Sequence, residues 1–217
     1  MDVLFETQSE TSKPEIYESQ KVCYGDPFVL ESCVSDDPVF LAIVRHASSK
    51  RSPTMLRTEV ATPGQYPNSD YIWTFVPVSR MGKKRGDVVS FGDRVRIQTF
   101  DYTGHYRQLM MNTADRGSIT AEKLPSQGAS TWFVACAAQL RTEAAGRVVP
   151  DGDFHSTLEF GKSNYLALIN TARYLSVMPD YYGSVSKNVG TLPDLPASGM
   201  ATWWRISRSV SDASSRR

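Results

Sequence analysis

One short pattern occurs three times in this chain, in the same order and at nearly constant spacing. An aromatic residue precedes a glycine, and an alternating apolar stretch follows: Tyr24-Gly25-Asp26-Pro27-Phe28-Val29-Leu30, then Phe91-Gly92-Asp93-Arg94-Val95-Arg96-Ile97, then Phe160-Gly161-Lys162-Ser163-Asn164-Tyr165-Leu166-Ala167-Leu168. The glycines lie 67 and 69 positions apart. Each copy continues through a second apolar pair (Phe40-Leu41, Tyr106 to Leu109, Tyr174-Leu175) and closes on a tryptophan stretch containing Trp73, Trp132 or Trp203-Trp204. A unit of about four short strands cannot bury its apolar face alone, whereas three such units around one axis close a barrel and remove most exposed edges. The expected fold is therefore all-β, a β-trefoil of three pseudo-repeats, with Trp73, Trp132 and Trp203 around a common axis. A β-sandwich with coincidental Gly-aromatic turns is the competing fold.

Finer expectations follow from the period of two along a strand. Phe28 and Leu30 point to one face, as do Val95 and Ile97; Asn164 breaks the match in the third copy and predicts a bulge or a shift by one. Met55-Leu56 of the first copy corresponds to the stretches around Ile119 and Val185. Pro and Gly punctuate nearly every gap, which leaves little room for long helices. Ala135 to Ala145 is the best helical window and predicts a short loop helix.

The spacing places a single trefoil domain over residues 21–210, with a polar N-terminal arm over 1–20 and a Ser/Arg-rich tail over 211–217. No run approaches the roughly 18–20 apolar residues needed to span a bilayer, and no signal-peptide pattern is visible. Cys23, Cys33 and Cys136 are an odd, sparse set, which argues against a disulfide framework and for a reducing, cytoplasmic compartment. With 24 Lys plus Arg against 23 Asp plus Glu, the formal net charge is +1. That removes the whole-chain electrostatic case for nucleic acid or anionic membrane, but leaves room for a local basic patch.

Catalytic and metal signatures are not apparent. The three histidines have no close ligand spacing, the cysteines form no Cys-X-X-Cys, and no Gly-X-Ser-X-Gly elbow or Walker-type loop occurs. Asp151-Gly152-Asp153 lacks the later glutamate of a calcium loop. No catalytic residue, metal or cofactor is expected, and the chain is not expected to be an enzyme. The segment Arg80-Met81-Gly82-Lys83-Lys84-Arg85 packs four cations into six residues and offers a phosphate or acidic-surface contact. Tyr66 and Tyr181-Tyr182 are candidate stacking residues.

Several of these motifs resemble the MIR-like β-trefoils at the N-terminus of inositol trisphosphate receptors and ryanodine receptors. The residues that carry the likeness are Tyr24-Gly25-Asp26, Phe91-Gly92-Asp93, Thr103-Gly104-His105-Tyr106, Ser130-Thr131-Trp132-Phe133, Arg173-Tyr174-Leu175-Ser176 and Trp204-Arg205-Ile206-Ser207. The resemblance implies a trefoil used for contacts without catalysis. It also implies a comparison with the Leu-Arg-Thr-Thr-Gly-Arg loop of the ligand-binding trefoil. Here the matching segment is Leu56-Arg57-Thr58-Glu59-Val60-Ala61, in which Arg57 and Thr58 match and Glu59 sets a carboxylate where a polyphosphate would sit.

The expected function is a structural or adaptor module held by protein partners in a larger assembly, in the cytoplasm, with a cytoskeletal or ciliary lattice as the suggested setting. Two alternatives stay open. One is an inositol-phosphate or phosphoinositide-headgroup binder using Arg57, Thr58, Lys83, Lys84 and Arg85 on an anionic phosphate ligand. The other is a lectin, against which stands the missing Gln-X-Trp signature.

Overall fold

The computed structural model of the chain describes residues 21–34, 38–46, 55–63, 65, 69–101, 104–112, 114, 117–123, 125–137, 140–142, 148–150, 156–161, 165–179, 185–193 and 202–209. The N-terminal arm, the C-terminal tail, the 151–153 turn, Asn164, Tyr66 and Tyr181-Tyr182 lie outside them.

Alternating apolar residues make the strands, and their order gives three repeats. The first holds β1 (Pro27–Ser32), β2 (Val39–His46), β3 (Met55–Ala61), the two-residue β4 (Ser69–Asp70) and β5 (Trp73–Pro77). The second holds β6 (Arg94–Phe100), β7 (Tyr106–Met111), β8 (Ile119–Glu122) and β9 (Trp132–Cys136). After a small hairpin of β10 (Leu140–Thr142) and β11 (Val148–Pro150), the third holds β12 (Leu166–Asn170), β13 (Arg173–Pro179), β14 (Val185–Leu192) and β15 (Trp204–Ser207). The first and last strands of the repeats pair around a ring, β1-β5-β6-β9-β12-β15 and back to β1, every step antiparallel. The inner strands form three hairpins, β2–β3, β7–β8 and β13–β14, which cap one end. This is a β-trefoil.

Pseudo-symmetry extends to single atoms. The indole Nε1 of Trp73 donates to the Leu41 carbonyl at 2.8 Å, that of Trp132 to Leu109 at 3.0 Å and that of Trp204 to Leu175 at 3.0 Å. Each bond ties the last strand of a repeat to its own cap hairpin. All three indoles are fully buried, which contributes about 4–6 kcal/mol of apolar burial each. At the other end the chain enters the barrel three times, and three backbone bonds close a ring: Val22 N to Leu158 O (2.8 Å), Leu158 N to Val89 O (2.9 Å) and Val89 N to Val22 O (2.8 Å). The aromatic-Gly turns follow directly. Gly25, Gly92 and Gly161 have φ of 92°, 98° and 65°, the left-handed region that favours glycine. Their amides donate to Phe75, Val134 and Ile206, each two residues after a buried tryptophan.

Four finer expectations need correction. The third axial indole is Trp204; Trp203 is half-buried on the outside and stacks on Tyr165. In the third copy Leu166 and Leu168 face the core. That is a displacement of two positions relative to the first copies, and an even displacement keeps the face where a shift by one would reverse it. The core residue of β3 is Val60, matching Ile119 and Val189, while Leu56 pairs with Arg45 far along the hairpin. Within the 135–145 window only Ala137 is described as helical, a single 3-10 residue. Ala135 lies in β9 opposite Ala167, and Leu140–Thr142 is β10. The barrel ladder supplies hydrogen bonds at fixed positions, and the small Ala135, Ala137 and Ala167 let Tyr174 pack over them, so tertiary pairing overrides alanine's helix preference.

Two stability predictions follow. Trp204→Phe, which orphans the buried Leu175 carbonyl, should lower unfolding free energy by about 2–4 kcal/mol, and Trp203→Phe by under about 1 kcal/mol. Urea unfolding of the two variants decides it, and equal losses would reverse the assignment of the axial indole. Gly190 bridges Ser118 where the caps meet, and a Cβ there would collide with the Gly117 carbonyl and the Met178 side chain. Gly190→Ala should therefore cost about 1–3 kcal/mol by the same measurement.

Candidate interaction surfaces on the barrel flank

Side chains alternate across the barrel wall, so the residues flanking each buried tryptophan point outward. Ile72 and Thr74, Thr131 and Phe133, and Trp203 and Arg205 are thus equivalent positions. Across the next strand the registers are Thr74 opposite Gln98, Phe133 opposite Ile169, and Arg205 opposite Glu31. The pseudo-threefold axis therefore repeats one flank three times, with different contents.

The third-repeat flank is filled by the chain itself. Arg205 Nη1 lies 3.5 Å from Glu31 Oε2, its guanidinium sits 5.7 Å from the centre of the Tyr165 ring, and Trp203 stacks on Tyr165 at 5.4 Å. Burial works to lower the Arg205 pKa, but the hydrogen bond to Tyr165 and the Glu31 charge outweigh it and raise the value, so the guanidinium keeps its charge.

The first-repeat flank is open. Asp70, Tyr71, Ile72, Thr74, Gln98, Thr99, Phe100 and Tyr106 line a cavity of about 440 Å³. Ile72 is 59%, Phe100 55% and Tyr106 63% exposed, and only Met81 joins them as a large exposed apolar side chain among the described residues. Phe100 and Tyr106 meet edge to face at 5.0 Å. The floor is rigid, because the Thr99 hydroxyl donates to the Ile72 carbonyl at 2.6 Å. These clustered apolar side chains make the flank a candidate contact site.

The second-repeat flank is a groove of about 740 Å³ that includes Arg80, Met81, Arg94, Phe133, Ile169 and Thr171. Its rim is the turn between β12 and β13, where Thr171 and Ala172 hold φ of 48° and 59°. Such strain in non-glycine residues needs external support. Buried Asn170 supplies it, donating from Nδ2 to Ala129 O at 2.7 Å and accepting the Thr171 hydroxyl at 2.8 Å.

The five residues expected to hold an anionic phosphate are not brought together. Arg57 and Thr58 lie on β3, opposite Val44 and Ile43 in the first cap hairpin, and Thr58 is buried, as is Glu59. Lys83, Lys84 and Arg85 follow β5 out of the other end of the barrel. Lys83 is engaged there, donating to Val88 O at 3.1 Å and lying 3.6 Å from Asp93 Oδ2. Arg85 lies over Gly25, where an added Cβ would meet its side chain. The amide of Lys84 is held by Asp87 Oδ2 at 2.8 Å, while its side chain is exposed. Lys83 and Arg85 thus clamp Asp93 and the Tyr24-Gly25 turn, while Arg80 lines the second-repeat groove and the Lys84 side chain is exposed. Ile72, Phe100 and Tyr106 were not singled out as site residues, yet alternation carried the signal: Phe100 is outward on a strand whose inward residues are Val95, Ile97 and Thr99.

Asp93 links the repeats beneath this clamp. Its Oδ2 accepts from the Tyr24 hydroxyl at 3.0 Å and from the Ser90 amide at 2.9 Å. Burial first, and then the Asp93 charge, push the Tyr24 phenol above its ordinary range. Burial, followed by the Asp26 charge, raises the pKa of the Cys23 thiol.

Among the described residues no helix is long and apolar enough to cross a membrane. Fold and surface together define an MIR-like β-trefoil. The inositol 1,4,5-trisphosphate/ryanodine receptor family model matches residues 2–142, and the chain belongs to that family. No curated protein matches it by sequence. Among solved structures it is similar to a Caenorhabditis elegans protein of unknown function, with a TM-score of 0.55 at 15% identity, covering 88% of this chain and 98% of that one. It is also similar to the SDF2-like protein of Arabidopsis thaliana, with a TM-score of 0.53 at 16% identity, covering 86% and 94%. A type II water-soluble Chl-binding protein aligns with a TM-score of 0.51 at 9% identity, covering 88% and 99%. At such identities these structures share the fold alone.

The Tyr24–Asp93 bond gives a pH prediction. A phenol that keeps its proton more tightly when folded stabilises the protein fully below its unfolded pKa of about 10, and this contribution is lost as pH rises beyond that. Between pH 8 and 11 the wild type should lose more stability than Tyr24→Phe, which should itself be weaker by about 1 kcal/mol at pH 8. Urea midpoints across that range provide the comparison, and parallel alkaline limbs would contradict the coupling.

Proposed function

We propose that this chain is a non-catalytic interaction module, a structural or adaptor subunit held by protein partners in a larger assembly. The observation that carries this reading is the open first-repeat flank. Three large apolar side chains stand exposed around one cavity, at a position that the third repeat fills with its own Trp203 and Tyr165. Exposed aromatics over a rigid floor are the composition of an interface hot spot. Membership of a receptor family of contact-making trefoils supports the same reading. The compartment proposed is the cytoplasm, supported by the odd, sparse set of three cysteines, and a cytoskeletal or ciliary lattice is the proposed setting.

The second reading, an inositol-phosphate or phosphoinositide headgroup ligand, is favoured by the family match and by the exposed side chains of Lys84 and Arg85. The burial of Thr58 and its distance along the fold from the 83–85 loop weigh against it.

Replacing Phe100 and Tyr106 by serine separates the readings. Native mass spectrometry of the tagged chain from its own cells should show the wild type in a complex. The double variant should appear as free monomer, with affinity reduced at least about tenfold and an unchanged melting temperature. A wild type that is itself monomeric, or a variant that still assembles, would end the adaptor reading. Calorimetry against inositol trisphosphate at physiological salt should show no heat; binding abolished by Lys84→Glu with Arg85→Glu would favour the second reading instead.

A further inference from the structure

The second-repeat groove differs from the first-repeat flank in charge. Arg80 and Arg94 both line it and both are exposed. Neither has an ion-pair partner among the described residues. Between them lie Met81, Phe133 and Ile169. The groove therefore offers two cations over an apolar floor, which fits a peptide that carries carboxylates beside apolar side chains.

The chain holds such a segment. Residues 1–20 contain five carboxylates (Asp2, Glu6, Glu10, Glu15 and Glu18) against one lysine, Lys13, and an apolar run of Val3-Leu4-Phe5. The segment also joins the fold at the loop between Arg80 and Arg94. Cys23 bridges Val88, Tyr24 N donates to Asp87 O at 2.9 Å, and Gly86 N donates to Tyr24 O at 2.9 Å. The entry point is therefore bonded to the same loop that carries Arg80 and leads into Arg94. Twenty residues extend to at most about 70 Å, so reach is no obstacle. Tethering adds an effective concentration on the order of millimolar. The family match begins at residue 2, so this segment belongs to the matched sequence.

We propose that the groove between the second and third repeats is the docking site of the chain's own acidic N-terminal segment, with carboxylates on Arg80 and Arg94 and the Val3–Phe5 run over Phe133 and Ile169. This contact covers one flank of the barrel and leaves the Ile72–Phe100–Tyr106 flank to an external partner. It is independent of what that partner is.

The test uses the full chain with Phe5 replaced by a benzophenone-bearing phenylalanine analogue. Irradiation of dilute protein, followed by peptide mapping, should give an intrachain cross-link to the segment containing Met81 or to those containing Phe133 or Ile169. Arg80→Glu with Arg94→Glu should cut that yield at least fivefold while far-ultraviolet dichroism and melting temperature stay unchanged, since both side chains are exposed. Raising salt to 1 M should reduce it in the parent, because the Debye length falls to about 3 Å. Cross-links that map elsewhere, a yield indifferent to the double charge reversal, or cross-links between isotopically distinct chains (a second copy as the occupant) would each overturn the proposal.

Discussion

Three indole N–H groups buried in one core each need an acceptor, and in this fold each has one geometric solution. An unsatisfied Nε1 would cost about 1–3 kcal/mol, so the tryptophan can sit inward only if a cap-hairpin carbonyl reaches it. The Leu41, Leu109 and Leu175 carbonyls do so. That single requirement fixes how each hairpin leans on its own closing strand. The register of the closing strand then fixes the carbonyl two residues on, which receives the amide of Gly25, Gly92 or Gly161. The aromatic beside that glycine is thereby set inward under the barrel end. Core, caps and turns are one connected set of constraints, repeated three times.

The repeat architecture was legible because it rests on residue types that carry strong geometric meaning. Glycine at positive φ and tryptophan in a closed core tolerate few substitutes, so they recur even where the residues between them do not. What was misread depended on weaker signals. Trp203 and Trp204 are adjacent, so composition alone cannot say which faces inward; the partner register of β15 with β1 decides it, pairing Trp204 with Ser32 and Arg205 with Glu31. The alanine-rich window looked helical because propensity is local, while the partners that hold its first two residues in β9 lie at 166–167, distant in sequence.

Charge contiguity and spatial direction part company in the cation run. The cation run at 80–85 stood out because its charges are contiguous, but contiguity along a chain says little about direction in space. Lys83 turns inward to Asp93 and Val88, Arg85 lies on Gly25, and Arg80 faces a different groove. The flank residues were inconspicuous for the opposite reason. Ile72, Phe100 and Tyr106 come from β5's approach, the end of β6 and the start of β7, and only the strand registers, with Phe100 opposite Tyr106, gather them.

Pseudo-symmetry makes the three flanks an internal comparison. Backbone geometry is shared, so differences among them reflect side-chain choice and not the demands of the fold. One flank is closed by an arginine–glutamate pair and stacked aromatics, one exposes apolar rings, and one pairs cations with an apolar floor. If stability alone governed these positions, the self-filled solution would serve at all three, since it satisfies its charge and covers its rings. Two of the three flanks forgo it. Exposed rings at Phe100 and Tyr106 are a cost carried in the isolated chain, whereas the positive-φ turn at Thr171-Ala172 is supported internally by Asn170. The places where this trefoil departs from its own symmetry are therefore the surfaces on which both proposed contacts rest.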